Sequence, residues 1–186
     1  MLKRGILTAL VAGAVLLGAP LAPGRVNGSA AADVTDTEVL FRRKHWEVSL
    51  VAFDDGKISC LATVGDSNSS FLIWADVDSN ASLQFYNTAW SFNNEVADIV
   101  VQIDRRPNWT LNNADLNQNS VFFNLNDSDA SYRFLREVMR GNYLYLFSSS
   151  GARIQSYSLA GSSASIVALS DCVDALKANG DSNPFN

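Results

Sequence analysis

The chain reads as a mainly β protein with two helices (α+β), an antiparallel β-sandwich or curved sheet capped by a C-terminal helix. Three observations predict this. Short runs rich in Val, Ile, Phe, Trp and Tyr recur between clusters of Gly, Asp, Asn and Pro, the pattern of strands joined by tight turns. Only two stretches place apolar residues at helical spacing, one between Ser128 and Gly141 and one over about 163–178. Two helices cannot supply the crossovers of a parallel sheet, so the strands pair antiparallel.

Asp33–Leu40 is polar, acidic and aperiodic, and is expected to be a flexible N-terminal lead-in to a single β-rich domain over 41–180. His45–Phe53 alternates, with Trp46, Val48 and Leu50 on one face, and is the first expected strand. Asp54-Asp55-Gly56 is a hairpin signal, and the chain returns through Lys57–Val64. After a polar loop, Phe71–Val77 reads as a buried strand that takes Trp74 into the core, and Ser79-Asn80 turns the chain into Ser82–Tyr86. A short extended segment is expected over Trp90–Asn94 and a strand over Ala97–Ile103, which ends at a turn centred on Pro107. Trp109–Leu111 and Ser120–Leu125 are strands separated by an asparagine-rich stretch.

Asn126-Asp127-Ser128 caps the first helix, with Phe134, Leu135, Val138 and Met139 as its core stripe and Gly141 at its end. Tyr143–Phe147 and Arg153–Leu159 form a hairpin over a turn at Ser148–Gly151, where Gly151 can supply positive φ. Gly161 breaks the second strand. The last helix follows, with Ile166, Leu169, Val173 and Leu176 on its inner face and Cys172 at the edge of that face. Asn179-Gly180 stops it, and the last six residues are expected to fray.

Residues 1–32 carry the marks of an export signal: Lys3-Arg4, an apolar run over Gly5–Ala19, and Ala30-Ala31-Ala32 as the cleavage site before Asp33. The apolar run is shorter than the roughly 20 residues a bilayer span needs, so no stable membrane anchor is expected after cleavage. Three basic residues and no acidic one leave with the leader, which takes the net charge from −5 to −8. Such a balance argues against a nucleic-acid partner and against a polybasic membrane-surface protein. Arg133, Arg136 and Arg140 share one helix face, which reads as a solvated side.

Cys60 and Cys172 are the only cysteines, and two cysteines in an exported chain pair as a rule. Both lie on apolar faces, and a bridge between them closes a loop of about 110 residues, worth roughly 4–5 kcal/mol on the chain-entropy model.

No constellation for chemistry stands out. His45 is the only histidine and stands beside Trp46 with no serine, cysteine or carboxylate pattern around it. Gly161-Ser162-Ser163-Ala164-Ser165 has the strand-to-helix setting of a nucleophile elbow but lacks its final glycine, so N-capping by Ser162 or Ser163 is the expected role. Asp76-Val77-Asp78-Ser79-Asn80 opens like a calcium loop, but Ala81 and Asn87 replace the glycine and glutamate that such a loop needs. Neither a metal nor a cofactor is expected. Trp90 and Trp109 flank asparagine-rich loops and are the candidates for an exposed sugar-stacking platform.

The succession from Phe134-Leu135 through Val138-Met139 and Gly141 to Tyr143–Phe147, Gly151, and Tyr157-Ser158-Leu159-Ala160-Gly161-Ser162 before an alanine-rich helix resembles the invasion-associated locus B family of bacterial periplasmic proteins. Trp46 and Cys60 stand where that family has an early tryptophan strand and cysteine. The likeness implies a periplasmic or secreted, non-catalytic protein linked to host-cell association, and it carries over no catalytic residue. A second likeness is to periplasmic lysozyme inhibitors, whose S-G-x-x-Y loop is matched by Ser150 and Gly151, with Ile154 in place of the tyrosine and Arg153 able to reach an acidic cleft. The sequence thus predicts a binding or envelope-interaction module with a protein or glycan partner. An inhibitor of an envelope hydrolase such as lysozyme is the alternative, followed by an esterase-like enzyme using Ser163.

Overall fold

From Trp46 to Asn87 the chain runs as a plain meander, because each strand ends in a turn short enough to force antiparallel return. The computed structural model describes residues 32–180, so the expected export signal (but for Ala32) and the expected frayed tail lie outside the described residues. The described strands are β1 (Val34–Arg43), β2 (Trp46–Phe53), β3 (Ile58–Gly65), β4 (Ser69–Ala75), β5 (Ala81–Asn87), β6 (Phe92–Ile103), β7 (Trp109–Gln118), β8 (Ser120–Leu125), β9 (Tyr143–Phe147) and β10 (Arg153–Ser158). Helix α1 (Asp129–Arg140) precedes β9, and α2 (Ser162–Gly180) follows β10. All ten strands belong to one antiparallel sheet in the order β1-β2-β3-β4-β5-β8-β7-β6-β9-β10. Of the two architectures the sequence allowed, this is the curved sheet.

The sheet curls until its two ends meet. The Trp46 indole N–H on β2 donates to the Ser158 carbonyl at the end of β10, at 3.1 Å. Ser69 on β4 bonds the Tyr157 hydroxyl at 3.3 Å and accepts from Gln155 at 2.7 Å. Tyr157 also lies against Phe71 and Phe85, with ring centroids 6.0 and 6.1 Å apart. Register breaks in β1, β6 and β10 supply the extra twist that lets a sheet this wide close over its own core. Inside lie Trp46, Val48, Ala62, Phe71, Ile73, Leu83, Phe85, Val101, Ile103, Leu144 and Leu146, all almost fully buried.

Three segments differ from expectation. The supposed flexible lead-in is β1, paired along β2; only Phe41 is drawn toward the core, so the strand carries no alternation to read. The short segment at Trp90–Asn94 and the strand at Ala97–Ile103 merge into the single strand β6, which absorbs Asn94 at φ +57° beside a register shift. The asparagine-rich stretch after Leu111 continues β7. Ile99 pairs with Leu111 and Ala97 with Ala114, so Asn112-Asn113 forms a bulge, with Asn113 at φ +58° and its amide donating to Asp98 at 2.9 Å. Asparagine tolerates that left-handed backbone, which is why a bulge inside a strand reads as a loop.

Helix α1 is capped by Ser128, whose hydroxyl accepts from the Ser131 amide, and it buries Phe134 and Val138 as predicted. Helix α2 covers β1, β2 and β3, and the disulfide Cys60–Cys172 ties it to β3 with a Cα–Cα distance of 6.1 Å. Gly161 turns the chain into α2 at φ +105°, and a Cβ there would meet the Arg43 carbonyl at 2.5 Å.

The serine pair at the start of α2 departs from the expected N-cap. Ser162 is fully buried and its hydroxyl donates to the Val138 carbonyl at 2.8 Å, which closes the end of α1 rather than the start of α2. Ser165 is equally buried, and its hydroxyl has no partner among the described residues. A buried unpaired hydroxyl costs more than the hydrogen bond it fails to make. Ser165→Ala is therefore expected to stabilise the fold by about 1 kcal/mol, helped by alanine's helix propensity. Urea denaturation checks this, and a destabilised variant would mean that the hydroxyl has an undetected partner.

Candidate functional site

The most elaborated surface lies on the outer face of the sheet. In β4, Phe71 and Ile73 point inward, so period-two geometry sends Leu72 and Trp74 outward. Trp74 is therefore not a core residue, contrary to the sequence reading. Cross-strand pairing sets Trp74 beside Ser82, Gln84 beside Phe122, and Ser82 beside Asn124 on that same face. Phe53, at the outer end of β2, reaches Trp74 with ring centroids 6.1 Å apart.

Trp74 is fixed at both its edge and its face. Its indole N–H donates to Gln84 Oε1 at 2.7 Å, and Gln84 Nε2 donates in turn to Ser120 Oγ at 2.8 Å. This two-bond relay holds the ring in one orientation over a cleft of about 520 Å³ floored by Phe53, Trp74 and Phe122. The β2–β3 turn forms one rim, where Lys57 and Asp55 pair at 2.7 Å. The hydrogen bond from Lys57 holds the Asp55 carboxyl below its ordinary value and raises Lys57.

The β4–β5 turn also lines the cleft, and there both Asp76 carboxylate oxygens accept from Asn80, each at 2.9 Å. That carboxylate closes its own turn, and among the described residues no group of three His, Cys, Asp or Glu is placed to hold a metal. Asn80, Ala81 and Asn124 also line a second depression of about 560 Å³, with Asp78, Asn126, Asp127 and Tyr132 around it. The two depressions share Asn80, Ala81 and Asn124 in their linings: the first has an aromatic floor, and the second is lined by amides, carboxylates and the Tyr132 phenol, whose pKa is raised by Asp127.

The residues singled out from the sequence lie elsewhere. Trp90 is half-buried against Phe92, with centroids 5.6 Å apart, and its carbonyl accepts from Asn119. Trp109 is half-buried against Phe134, donates to Glu137 Oε2 at 2.9 Å, and is covered by Arg133. Both rings thus pack against neighbouring side chains, away from the Trp74 cleft. Ser150 and Gly151 occupy an exposed turn with Gly151 at φ +82°, but Arg153 lies back over Tyr145, 5.5 Å from the ring centroid. Ser163 is exposed in a groove with Phe41, Arg43 and Asp171, whereas His45 lines a different one with Asp66, Ser69 and Tyr157. Burial pushes the Tyr157 phenol up to about 12, against a lowering hydrogen bond from Ser69.

No helix among the described residues is long and apolar enough to cross a membrane. Compared with known proteins, the chain matches no family model, no curated protein and no solved structure.

Proposed function

We propose that the protein is an exported, non-catalytic binding module of the bacterial cell envelope that seats a glycan in the outer-face groove. The observation that carries this reading is the immobilised Trp74. A ring whose N–H is anchored by a side-chain relay is a preorganised apolar surface for the C–H face of a pyranose, and preorganisation reduces the entropy lost on binding. The adjoining Asn80, Asn124, Asn126 and Asp127 supply the paired donors and acceptors that sugar hydroxyls need. A groove of this size and lining is suited to a small extended ligand. The disulfide fits an oxidising compartment.

Export has its own support. The Asp33 amide donates to Asp54 Oδ1 at 3.0 Å, so cleavage after Ala32 would place the new α-ammonium directly on that carboxylate. Mass spectrometry of the secreted form is expected to show Asp33 at the N-terminus; a retained leader would remove the argument for export.

Titrating intrinsic fluorescence with N-acetylglucosamine oligomers and solubilised peptidoglycan fragments tests the glycan reading. Trp74→Ala is expected to weaken binding about tenfold or more, while Trp90→Ala leaves it unchanged. Equal affinity in Trp74→Ala and wild type, or no saturable binding to either ligand set, would dismiss the groove as a sugar site.

A further inference from the structure

Arg133, Arg136 and Arg140 project from one face of α1, and the β6–β7 turn delivers Arg106 against them. The turn is pinned in place. Asp104, at φ +54°, accepts the backbone amides of Asn142 at 3.0 Å and Tyr143 at 2.9 Å. Partial burial pushes the Asp104 carboxyl upward, but those amides outweigh it and hold the group below the ordinary carboxylate value. Arg106 then donates to the Glu137 carbonyl at 3.0 Å and to the Arg140 carbonyl at 3.4 Å, which caps α1 and fixes the guanidinium. Arg133 is fixed by a second device, 4.9 Å above the centroid of Trp109.

These four guanidiniums and Glu137 line a groove of about 320 Å³. Among the described residues the ion pairs are Arg42–Glu47 and Lys57–Asp55, so no carboxylate is in direct ion-pair contact with any of the four, although Glu137 lines the same groove and Arg106 helps to hold down the Asp104 carboxyl. Glu137 turns its Oε2 to the Trp109 indole instead. A chain of net charge −5 therefore concentrates four of its 14 basic residues around one small concavity. Like charges gathered this closely repel each other unless a counter-anion sits among them.

We infer that the groove formed by Arg106, Arg133, Arg136 and Arg140 is a binding site for a single phosphate group. Guanidiniums offer planar, forked donors that match tetrahedral oxyanions, and two of the four are already oriented. The acidic remainder of the chain disfavours a long polyanion such as nucleic acid, whose many phosphates would extend past the patch. An isolated phosphate, on a lipid headgroup or on a soluble compound, fits within it. The site shares no lining residue with the Trp74 groove, so the two readings are tested independently.

The experiment uses the full exported chain, inorganic phosphate followed by phosphorus NMR, and sedimentation with phosphatidylcholine vesicles containing phosphatidic acid. Arg133→Gln/Arg136→Gln removes two exposed guanidiniums and leaves the capping Arg106 intact. Arg43→Gln/Lys44→Gln removes the same charge at a different groove. Saturable phosphate binding, weakened about tenfold by the first pair and unchanged by the second, is the expected result. Vesicle binding displaced by inorganic phosphate would assign the group to a lipid headgroup, whereas phosphate binding without vesicle binding would assign it to a soluble compound. Equal loss in the two variants, or no saturable binding to either probe, overturns the site.

Discussion

Reducing the Cys60–Cys172 bridge is expected to lower the unfolding free energy by about 4–5 kcal/mol, the chain-entropy value for a loop of this length. The two cysteines are 112 residues apart, so the bond restrains most of the described chain in its unfolded state. That is a large part of the 5–15 kcal/mol typical of a domain, and the reduced form would be marginal at 37 °C. Reduction and mutation separate two effects. Reduction leaves both thiols in place as small buried hydrophobes, so it reports the cross-link alone. Cys60→Ala/Cys172→Ala adds a packing loss at residues only 0% and 6% exposed, and is expected to cost more than reduction does. Urea titrations with and without reductant measure the first, and the double variant the second. A reductant-induced change below about 1 kcal/mol would show that Leu169 and Val173 hold α2 on the sheet without the bond, and that the entropic account fails here.

Much of this fold is written locally. Asp54-Asp55-Gly56, Ser79-Asn80 and the Ser148–Gly151 turn each specify a hairpin, and Ser128 and Gly141 bound α1 in both sequence and structure. What sequence could not convey is which strands become neighbours after a long excursion. The pairing of β5 with β8 and of β6 with β9 depends on β6 and β7 being inserted into the sheet, and no local residue encodes that. Edge strand β1 escaped notice because most of its side chains are exposed, so it shows no apolar alternation.

The candidate site was hidden by a parity error. Phe71-Leu72-Ile73-Trp74 is apolar throughout, and a continuous run conceals which alternate residues face water. Phe53 held the clue, since it follows Trp46, Val48, Leu50 and Ala52 with the opposite parity and so had to lie on the outer face. The arginine groove was half legible: three of its members share a helix face, but Arg106 reaches them only through tertiary contact.

Trp46→Ala is the second large effect, at about 4 kcal/mol, within the range for removing a buried aromatic. The residue is 1% exposed and meets Phe71 edge to face with centroids 6.1 Å apart, while its N–H reaches across to Ser158. It therefore contributes both to the core and to the seam where the curled sheet meets itself. Trp46→Phe keeps most of the ring and removes the hydrogen bond, leaving the Ser158 carbonyl without that donor at a cost of about 1–2 kcal/mol. If the seam is a distinct element, Trp46→Phe will speed hydrogen exchange in β10, at Gln155 and Tyr157, more than in the β3–β4 pair, because local opening follows the weakest cooperative unit. Uniform acceleration across the sheet would show instead that the seam and the core open together. An Ala variant losing less than about 2 kcal/mol would mean that Tyr157, Phe71 and Phe85 close the curl without the tryptophan.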